Sequence, residues 1–169
     1  MMPTETSDHL REIRPCTERV RVRFSQSITV GFSAEEIYPL LCPVREFDWI
    51  PYWDCKLIYS ESGIAERNCV FQTDKPGEGV DTWVVSHYEP PRRISFVRID
   101  PRRAMQYDIF LKSSGDTTNV VWNQEITALN EEGDRFVGEL KESDFAEMIA
   151  KVELMLEHFL RTGEPLRDS

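Results

Sequence analysis

The sequence predicts a single α+β domain in which an antiparallel sheet of six to seven strands packs against one long C-terminal helix. The chain has 169 residues, the size of one domain. Short apolar segments follow one another with turn-forming residues between them, too close for helical crossovers, so neighbouring strands run antiparallel. The last apolar segment has the spacing of a helix.

Composition narrows the functional classes. Lys and Arg number 20 against 30 Asp and Glu, giving a net charge of −10, which argues against binding nucleic acid or anionic lipid. Neither a signal peptide nor an apolar run of roughly 18 residues is present, so we expect a cytoplasmic protein with no integral membrane association. Residues 1–16 are expected to form a mobile tail, 17–164 the domain and 165–169 a second tail. The sequence leaves open whether the protein forms a homodimer.

The first expected element is a strand over residues 18–30. Apolar residues alternate with arginines, which is the period of a half-buried strand. The alternating faces carry Val20, Val22 and Phe24 on one side and Arg19, Arg21 and Arg23 on the other. The arginines could bind an anionic ligand, but the solvated face of the strand is the favoured interpretation.

A helix is predicted to begin at Ser33. The Ser33 hydroxyl can accept from the amide of Glu36, and the Glu36 carboxylate can return to the amide of Ser33. Pro39 then lacks the donor for the next helical bond, and further prolines follow. We therefore expect two short helices before the next strand.

The remaining strands and the final helix complete the pattern. The strands are expected at residues 55–61, 68–73, 81–88, 93–100, 105–112 and 117–128. Asp144 is the expected cap of the helix, and Gly163 with Pro165 should end it. Its apolar stripe consists of Phe145, Met148, Ile149, Val152, Leu156, Phe159 and Leu160.

Four parts of the chain resemble a known superfamily. Residues 32–43 look like its first helix, 44–53 like its second, tryptophan-bearing segment, 83–94 like its hairpin of the fourth and fifth strands, and 118–122 like its last strand. With the order of elements, they resemble the START-like, or SRPBCC, superfamily, which includes polyketide cyclase-like proteins, the birch-pollen-allergen type and chaperone-ATPase activators. The resemblance implies a helix-grip fold, a curved sheet wrapped around the C-terminal helix, with an apolar cavity between them.

The inward faces of these elements define the candidate ligand-binding residues. If Trp83 points inward, strand alternation adds Val85 and His87. Trp49 and Trp53 are expected at the mouth of the cavity. The full set is Trp49, Trp53, Phe71, Trp83, Val85, His87, Phe96, Arg98, Tyr107, Trp122, Phe145, Met148, Ile149 and Val152. The alternative is that the same residues fill a core.

Several polar residues lie among these apolar faces, and each needs a partner if it is buried. They are His87, Arg98, Tyr107 and Gln124. Arg98 could bind a ligand carboxylate or phenolate. The favoured alternative is that it pairs with Asp108 or Glu125 or is exposed near the end of its strand. His87 could act as a general base, but its place near the end of a strand favours a surface position.

The segment before the second strand adds three charged residues, Arg45, Glu46 and Asp48. They could form a charged lid over the cavity. A local network of ion pairs with Arg92 or Arg93 is slightly favoured.

Catalytic and metal-binding motifs are not found in the sequence. The four cysteines form no Cys-x-x-Cys pair, so they are expected to be reduced and mostly buried; a metal site of Cys55, Cys69 and His87 is the minor alternative. There is no nucleophile elbow, zinc-binding helix or phosphate-binding loop. No catalytic residue, metal or cofactor is therefore predicted.

Three functions remain. The leading hypothesis is binding of a small hydrophobic molecule, such as a lipid or polyketide, in the cavity. The second is a cyclase or aromatase, in which His87, Arg98 and Tyr107 would anchor the substrate and move protons. The third is a protein-interaction module like the chaperone activators, whose acidic surface would dock a basic partner.

Overall fold

A computed structural model describes residues 15–167 as a curved seven-stranded antiparallel sheet with a long C-terminal helix. The strand order is β1-β7-β6-β5-β4-β3-β2. The strands are β1 Arg21–Val30, β2 Lys56–Tyr59, β3 Val70–Lys75, β4 Gly79–Glu89, β5 Arg93–Ile99, β6 Arg103–Ser114 and β7 Thr117–Ala128. The helices are α1 Ala34–Ile37, α2 Glu131–Glu139 and α3 Glu142–Thr162. The α+β prediction and the helix-grip architecture are confirmed.

The connection from β1 to β2 joins the two opposite edges of the sheet, so it must cross the full width of one end. It contains α1 and two 3₁₀ turns, Tyr38–Leu41 and Arg45–Asp48. The Tyr38 hydroxyl donates to the carbonyl of Arg93 at 2.8 Å and accepts from the amide of Glu89 at 3.2 Å, which fixes the connection on the β4–β5 hairpin. The crossing segment therefore closes this end of the sheet.

The predicted capping box is present at the start of α1. The Glu36 amide donates to the Ser33 hydroxyl, and the Ser33 amide donates to the Glu36 carboxylate at 3.0 Å. The α-helix gives way to a 3₁₀ turn at Tyr38, next to Pro39, which cannot donate the next helical bond.

Helix α2 was not expected from the sequence. Asn130 caps it, because its side chain accepts from the amide of Gly133 at 2.9 Å. A Cβ at Gly133 would lie 2.0 Å from the carbonyl oxygen of Arg102, so only glycine allows this close approach of α2 to the sheet. Two glycines in nine residues lower the helix propensity, and tertiary packing overrides it.

Helix α3 begins earlier than expected. It starts at Glu142, after Lys141 and without a side-chain cap bond, so Asp144 lies in its first turn instead of capping it. It ends as predicted at Gly163, whose φ of 74° is left-handed. Phe145 contacts Phe24 of β1 with ring centroids 6.2 Å apart, and Ile149, Met155 and Leu156 are buried in the same core as the strands.

Two remaining expectations concern the ends of the chain and membranes. Most of the predicted N-terminal tail, residues 1–14, and residues 168–169 of the C-terminal tail lie outside the described residues. None of the helices within 15–167 combines the length and apolar character that a membrane crossing requires.

Candidate functional site

The register of the sheet places the predicted aromatic residues on its concave face. Trp83 is opposite Phe71 on one side and Arg98 on the other. Phe96 is opposite Tyr107 of β6. Partners in an antiparallel sheet share a face, so strand alternation predicted these orientations correctly.

Contacts between the rings fill the centre of this face. Phe71 stacks on Trp83 at 5.6 Å, and Phe96 meets both rings edge-on at 6.0 and 5.9 Å. Tyr107 lies 6.2 Å from Trp83. The Trp83 indole donates to the Thr73 hydroxyl at 2.9 Å. This part of the predicted cavity wall is thus packed against itself.

His87 is not on the concave face. A β-bulge lies between Val85 and His87, and it shifts the alternation by one residue. Tyr88 takes the inward position, where its ring lies 5.7 Å from that of Tyr38. The side chain of His87 is 41% exposed and pairs with Glu89 at 3.0 Å. Its predicted place in the cavity is therefore wrong, and the surface position is confirmed.

The two tryptophans expected at the mouth differ from each other. Trp49 is only 1% exposed and its indole donates to the Leu40 carbonyl at 2.8 Å, so it is a core residue and not part of a mouth. Trp53 is half-buried and donates to the Pro43 carbonyl at 2.8 Å. Both indole hydrogen bonds therefore join residues within the crossing segment between β1 and β2.

The other candidates divide between core and pocket. Val85 and Trp122 are buried in the sheet, and Phe145 and Ile149 are buried on α3. Val152 is partly buried against the same core. Met148 was expected in the buried stripe but is 40% exposed.

An open pocket of about 250 Å³ lies on the concave side between the sheet, α2 and α3. Of the predicted binding residues, Arg98, Phe145 and Met148 line it. Its apolar walls are Phe24, Met105, Ile126, Phe136, Leu140, Phe145 and Met148. Phe136 and Leu140 belong to α2 and the connection after it, and they are not among the predicted binding residues because that helix has no clear signal in the sequence. The polar residues at the pocket include Lys75, Glu78, Arg98, Arg103, Gln124, Lys141 and Asp144.

A larger depression of about 340 Å³ lies along β1, β7 and β6. Its lining is mainly polar and comes mostly from the convex face. Those side chains already bind one another: Ser25 donates to Asn123 at 2.6 Å and Arg23 pairs with Glu125 at 2.7 Å. The arginine stripe of β1 is therefore a solvated, ion-paired face, and we place the candidate site in the smaller pocket.

Beneath this pocket lies a buried charged network. Arg98 pairs with Asp81, Arg103 pairs with Asp81 at 3.5 Å and with Asp100 at 3.2 Å, and Arg102 pairs with Asp100 at 3.4 Å. Burial, followed by repulsion from Arg98, lowers the pKa of Arg103. Burial acts to raise the pKa of Asp100, but hydrogen bonds from the amides of Arg102 and Arg103 and the charge of Arg103 lower it overall.

The partner of Arg98 is not one of the two expected. Asp108 pairs with Arg93 at 2.8 Å, and Glu125 pairs with Arg21 and Arg23, all on the convex face. The partner is Asp81, which lies at the start of β4, 17 residues before Arg98. Only the β4–β5 pairing brings the two together.

The three charged residues before β2, Arg45, Glu46 and Asp48, do not form one network. Arg45 and Asp48 pair with each other at 2.7 Å on the surface, and Arg92 pairs with Glu89, so the predicted network with Arg92 or Arg93 is wrong. Glu46 is half-buried, and burial raises the pKa of its carboxyl well above the usual range. Within residues 15–167, no hydrogen bond to this carboxyl is formed.

Glu46 and Tyr107 influence each other. Burial, and next the charge of Glu46, raises the pKa of the Tyr107 hydroxyl, while its hydrogen bond with Gln124 acts in the opposite direction. Burial raises the pKa of Cys55 to about 11, with a smaller contribution from Glu46. Both Glu46 and Tyr107 are half-buried.

The cysteines are free thiols, buried at Cys42 and Cys69, intermediate at Cys55 and exposed at Cys16. Across the described part of the chain, no three His, Cys, Asp or Glu side chains are grouped so that they could hold a metal ion.

Similar solved structures share this fold at low sequence identity. No model of a protein family and no curated protein sequence matches the chain. DynU16, from the dynemicin biosynthetic locus, matches with a TM-score of 0.60 and 16% identity over 86% of this chain, which spans 49% of DynU16. Norcoclaurine synthase from Thalictrum flavum, in complex with dopamine and hydroxybenzaldehyde, matches with a TM-score of 0.60 and 18% identity over 83% of this chain and 89% of its own.

A third similar structure is Ara h 8.0201, with a TM-score of 0.59 and 8% identity over 85% of this chain and 99% of its own. These neighbours have the helix-grip fold of the START-like, or SRPBCC, superfamily, and this chain has the same fold.

Proposed function

We propose that the protein binds a small hydrophobic molecule in the space between the sheet and α3. The observation that carries this proposal is the open pocket beside α2, where seven apolar side chains form one wall over a buried charged network. Similarity to norcoclaurine synthase, which holds two small aromatic compounds in its own structure, supports the same use of the fold.

The size of the pocket favours a small ligand. About 250 Å³ is just below the roughly 300–1,000 Å³ of most ligand sites. Met148 lies at the pocket and is 40% exposed, and methionine side chains adapt easily to a ligand. Ligands with one or two rings, or a short alkyl chain, fit this description.

The first test compares native and denaturing mass spectra of freshly purified protein. A bound small molecule appears as extra mass that is lost on denaturation.

The second test measures binding of the neutral fluorescent probe N-phenyl-1-naphthylamine. Met148→Trp should fill the pocket and weaken binding at least about tenfold, whereas Leu154→Trp, at a 62% exposed position of the same helix, should not. Equal binding by both variants would place the probe elsewhere.

A cyclase-like enzyme is the second candidate, and Glu46 favours it. A carboxyl whose pKa is raised by burial can donate a proton near neutral pH, as general acids in enzymes do. Tyr107 lies near it and could orient a carbonyl or phenol. His87, one of the groups first considered for this role, is on the surface.

Glu46→Gln tests this candidate, with Glu35→Gln as the exposed control from α1. If the protein converts a substrate, Glu46→Gln should bind it normally but convert it about a hundredfold more slowly.

The raised pKa of Glu46 also predicts a pH dependence of stability, because the folded state holds the proton of this carboxyl more tightly than the unfolded state does. The stability from this group is therefore present below the usual Glu pKa and is lost as the pH rises through the raised value. Urea unfolding of Glu46→Gln should lack that loss, and an unchanged profile would contradict the assignment.

A further inference from the structure

The charged network beneath the pocket carries more positive than negative charge. It contains three guanidinium groups, Arg98, Arg102 and Arg103, and two carboxylates, Asp81 and Asp100. Both carboxylates are shared between two arginines. One positive charge is therefore left over in the network at the base of the pocket, in a chain whose net charge is −10.

Arg98 lines the pocket and has donors that no other residue of the network uses. One terminal nitrogen donates to Asp81, and among residues 15–167 neither the other terminal nitrogen nor the buried Nε finds an acceptor. The guanidinium carbon lies 4.6 Å from the centre of the Trp83 ring, and this stacking fixes the plane of the group. The second terminal nitrogen, unlike Nε, is not a buried atom, so it is the donor left for a ligand in the pocket.

The rim of the pocket does not cancel the excess charge. Lys75 pairs with Glu78 at 3.9 Å, and Lys141 stands beside Asp144. These residues contribute equal numbers of positive and negative charges. An anion entering the pocket would meet Arg98 and Arg103, the two guanidinium groups of the network that line it.

We propose that this pocket selects an amphipathic monocarboxylate, with its apolar body against α2 and α3 and its carboxylate on Arg98. Arginine donates N–H hydrogen bonds to carboxylates, and the second terminal nitrogen of Arg98 has no acceptor within residues 15–167. This inference rests on the proposed function, since it names the chemical class of the ligand for the same pocket.

Two matched compounds test the proposal by calorimetry at pH 7.5. The probes are 1-naphthaleneacetate and 1-naphthaleneacetamide, which have the same apolar body and differ in charge. We expect the acid to bind about ten- to a hundredfold more tightly, the range of a hydrogen bond to a charged group. This comparison uses the unaltered protein, so it does not depend on the folding of any variant.

Arg98→Gln should reduce the affinity for the acid to that for the amide, whereas Arg161→Gln at the exposed end of α3 should change neither. If Arg98→Gln does not fold, the neutral pair Asp81→Asn/Arg98→Gln replaces it. A variant that still prefers the acid would overturn the assignment to Arg98.

The outcomes separate the two proposals. If N-phenyl-1-naphthylamine and both naphthalene compounds bind, with equal affinity for acid and amide, the pocket is hydrophobic without anion selectivity and only this inference fails. If none of the three binds, the proposed function and this inference fail together.

Discussion

The two halves of the concave face are built from the same strands, yet one is packed and the other is open. In the packed half, the crossing segment covers the sheet, and residues such as Ile37, Trp49, Val85 and Ile94 are almost fully buried. In the open half, the neighbouring elements are α2 and the start of α3, and Met148 is left exposed beside the pocket.

Charge explains the difference. The packed half presents apolar side chains, which can interdigitate at the density of a protein interior. The open half is built over Asp81, Arg98 and Arg103, and apolar groups packed directly on these charges would compete with their hydrogen bonds. The fold thus places its pocket where the sheet carries buried ion pairs.

The largest effect should come from removing an anchor of the packed half. Trp49→Ala deletes a fully buried indole and its bond to the Leu40 carbonyl, and should lower the free energy of unfolding by about 3–5 kcal/mol. Trp53→Ala removes a partly exposed indole and should lower the free energy of unfolding by clearly less than Trp49→Ala does. Urea titration measures both, and equal losses would show that this half is not the rigid part of the fold.

Breaking the charged network should affect the open half nearly as much. Asp81→Asn leaves Arg98 and Arg103 without their shared carboxylate, so we expect a loss of about 3 kcal/mol, the lower end for a broken buried pair. The double variant Asp81→Asn/Arg98→Gln should recover part of it. A loss below about 1 kcal/mol would mean that water reaches and screens this network.

Helix α2 can be tested as the outer wall of the pocket. Gly133→Ala forces a methyl group against the Arg102 carbonyl and should destabilise the protein by about 1–3 kcal/mol. Gly138→Ala in the same helix meets nothing within 4 Å and should stabilise it by about 0.5–1 kcal/mol. Opposite signs in thermal unfolding would confirm the close approach of α2; the same sign would refute it.

The smallest effect concerns the start of the crossing segment. Ser33→Ala removes the cap of α1 and should cost about 1 kcal/mol, while the exposed Ser143→Ala should change stability by less than about 0.5 kcal/mol.

The same cap predicts a pH dependence. Hydrogen bonds from the Ser33 amide and hydroxyl lower the pKa of Glu36. The stability from this group is therefore present above the usual Glu pKa and is lost as the pH falls through the lowered value. Ser33→Ala should reduce this acid-side loss, and stability curves between pH 2 and pH 6 measure it.

Much of the fold could be predicted because its signals are local. The Ser33–Glu36 box, the alternation in β1 and β7 and the stop at Gly163 depend on neighbours a few residues apart. Helix α2 could not be predicted from local signals, because its two glycines weaken the helical pattern and its stability comes from contacts with the sheet.

The site was predicted less completely. Alternation placed Phe71, Trp83, Phe96 and Tyr107 on one face correctly, but a single bulge removed His87 from it. Nothing in the local sequence marks a bulge, and one extra residue exchanges the two faces of a strand.

The sequence by itself determined the strands, the final helix and the aromatic composition of the concave face, since these follow from the period of apolar residues and from turn and cap chemistry. Tertiary structure alone decided that Asp81 pairs with Arg98, that Glu46 lies close enough to Tyr107 to raise its pKa and that the pocket opens beside α2. Each of these depends on groups far apart in the chain. Burial and pairing are properties of the assembled sheet, and no short stretch of residues encodes them.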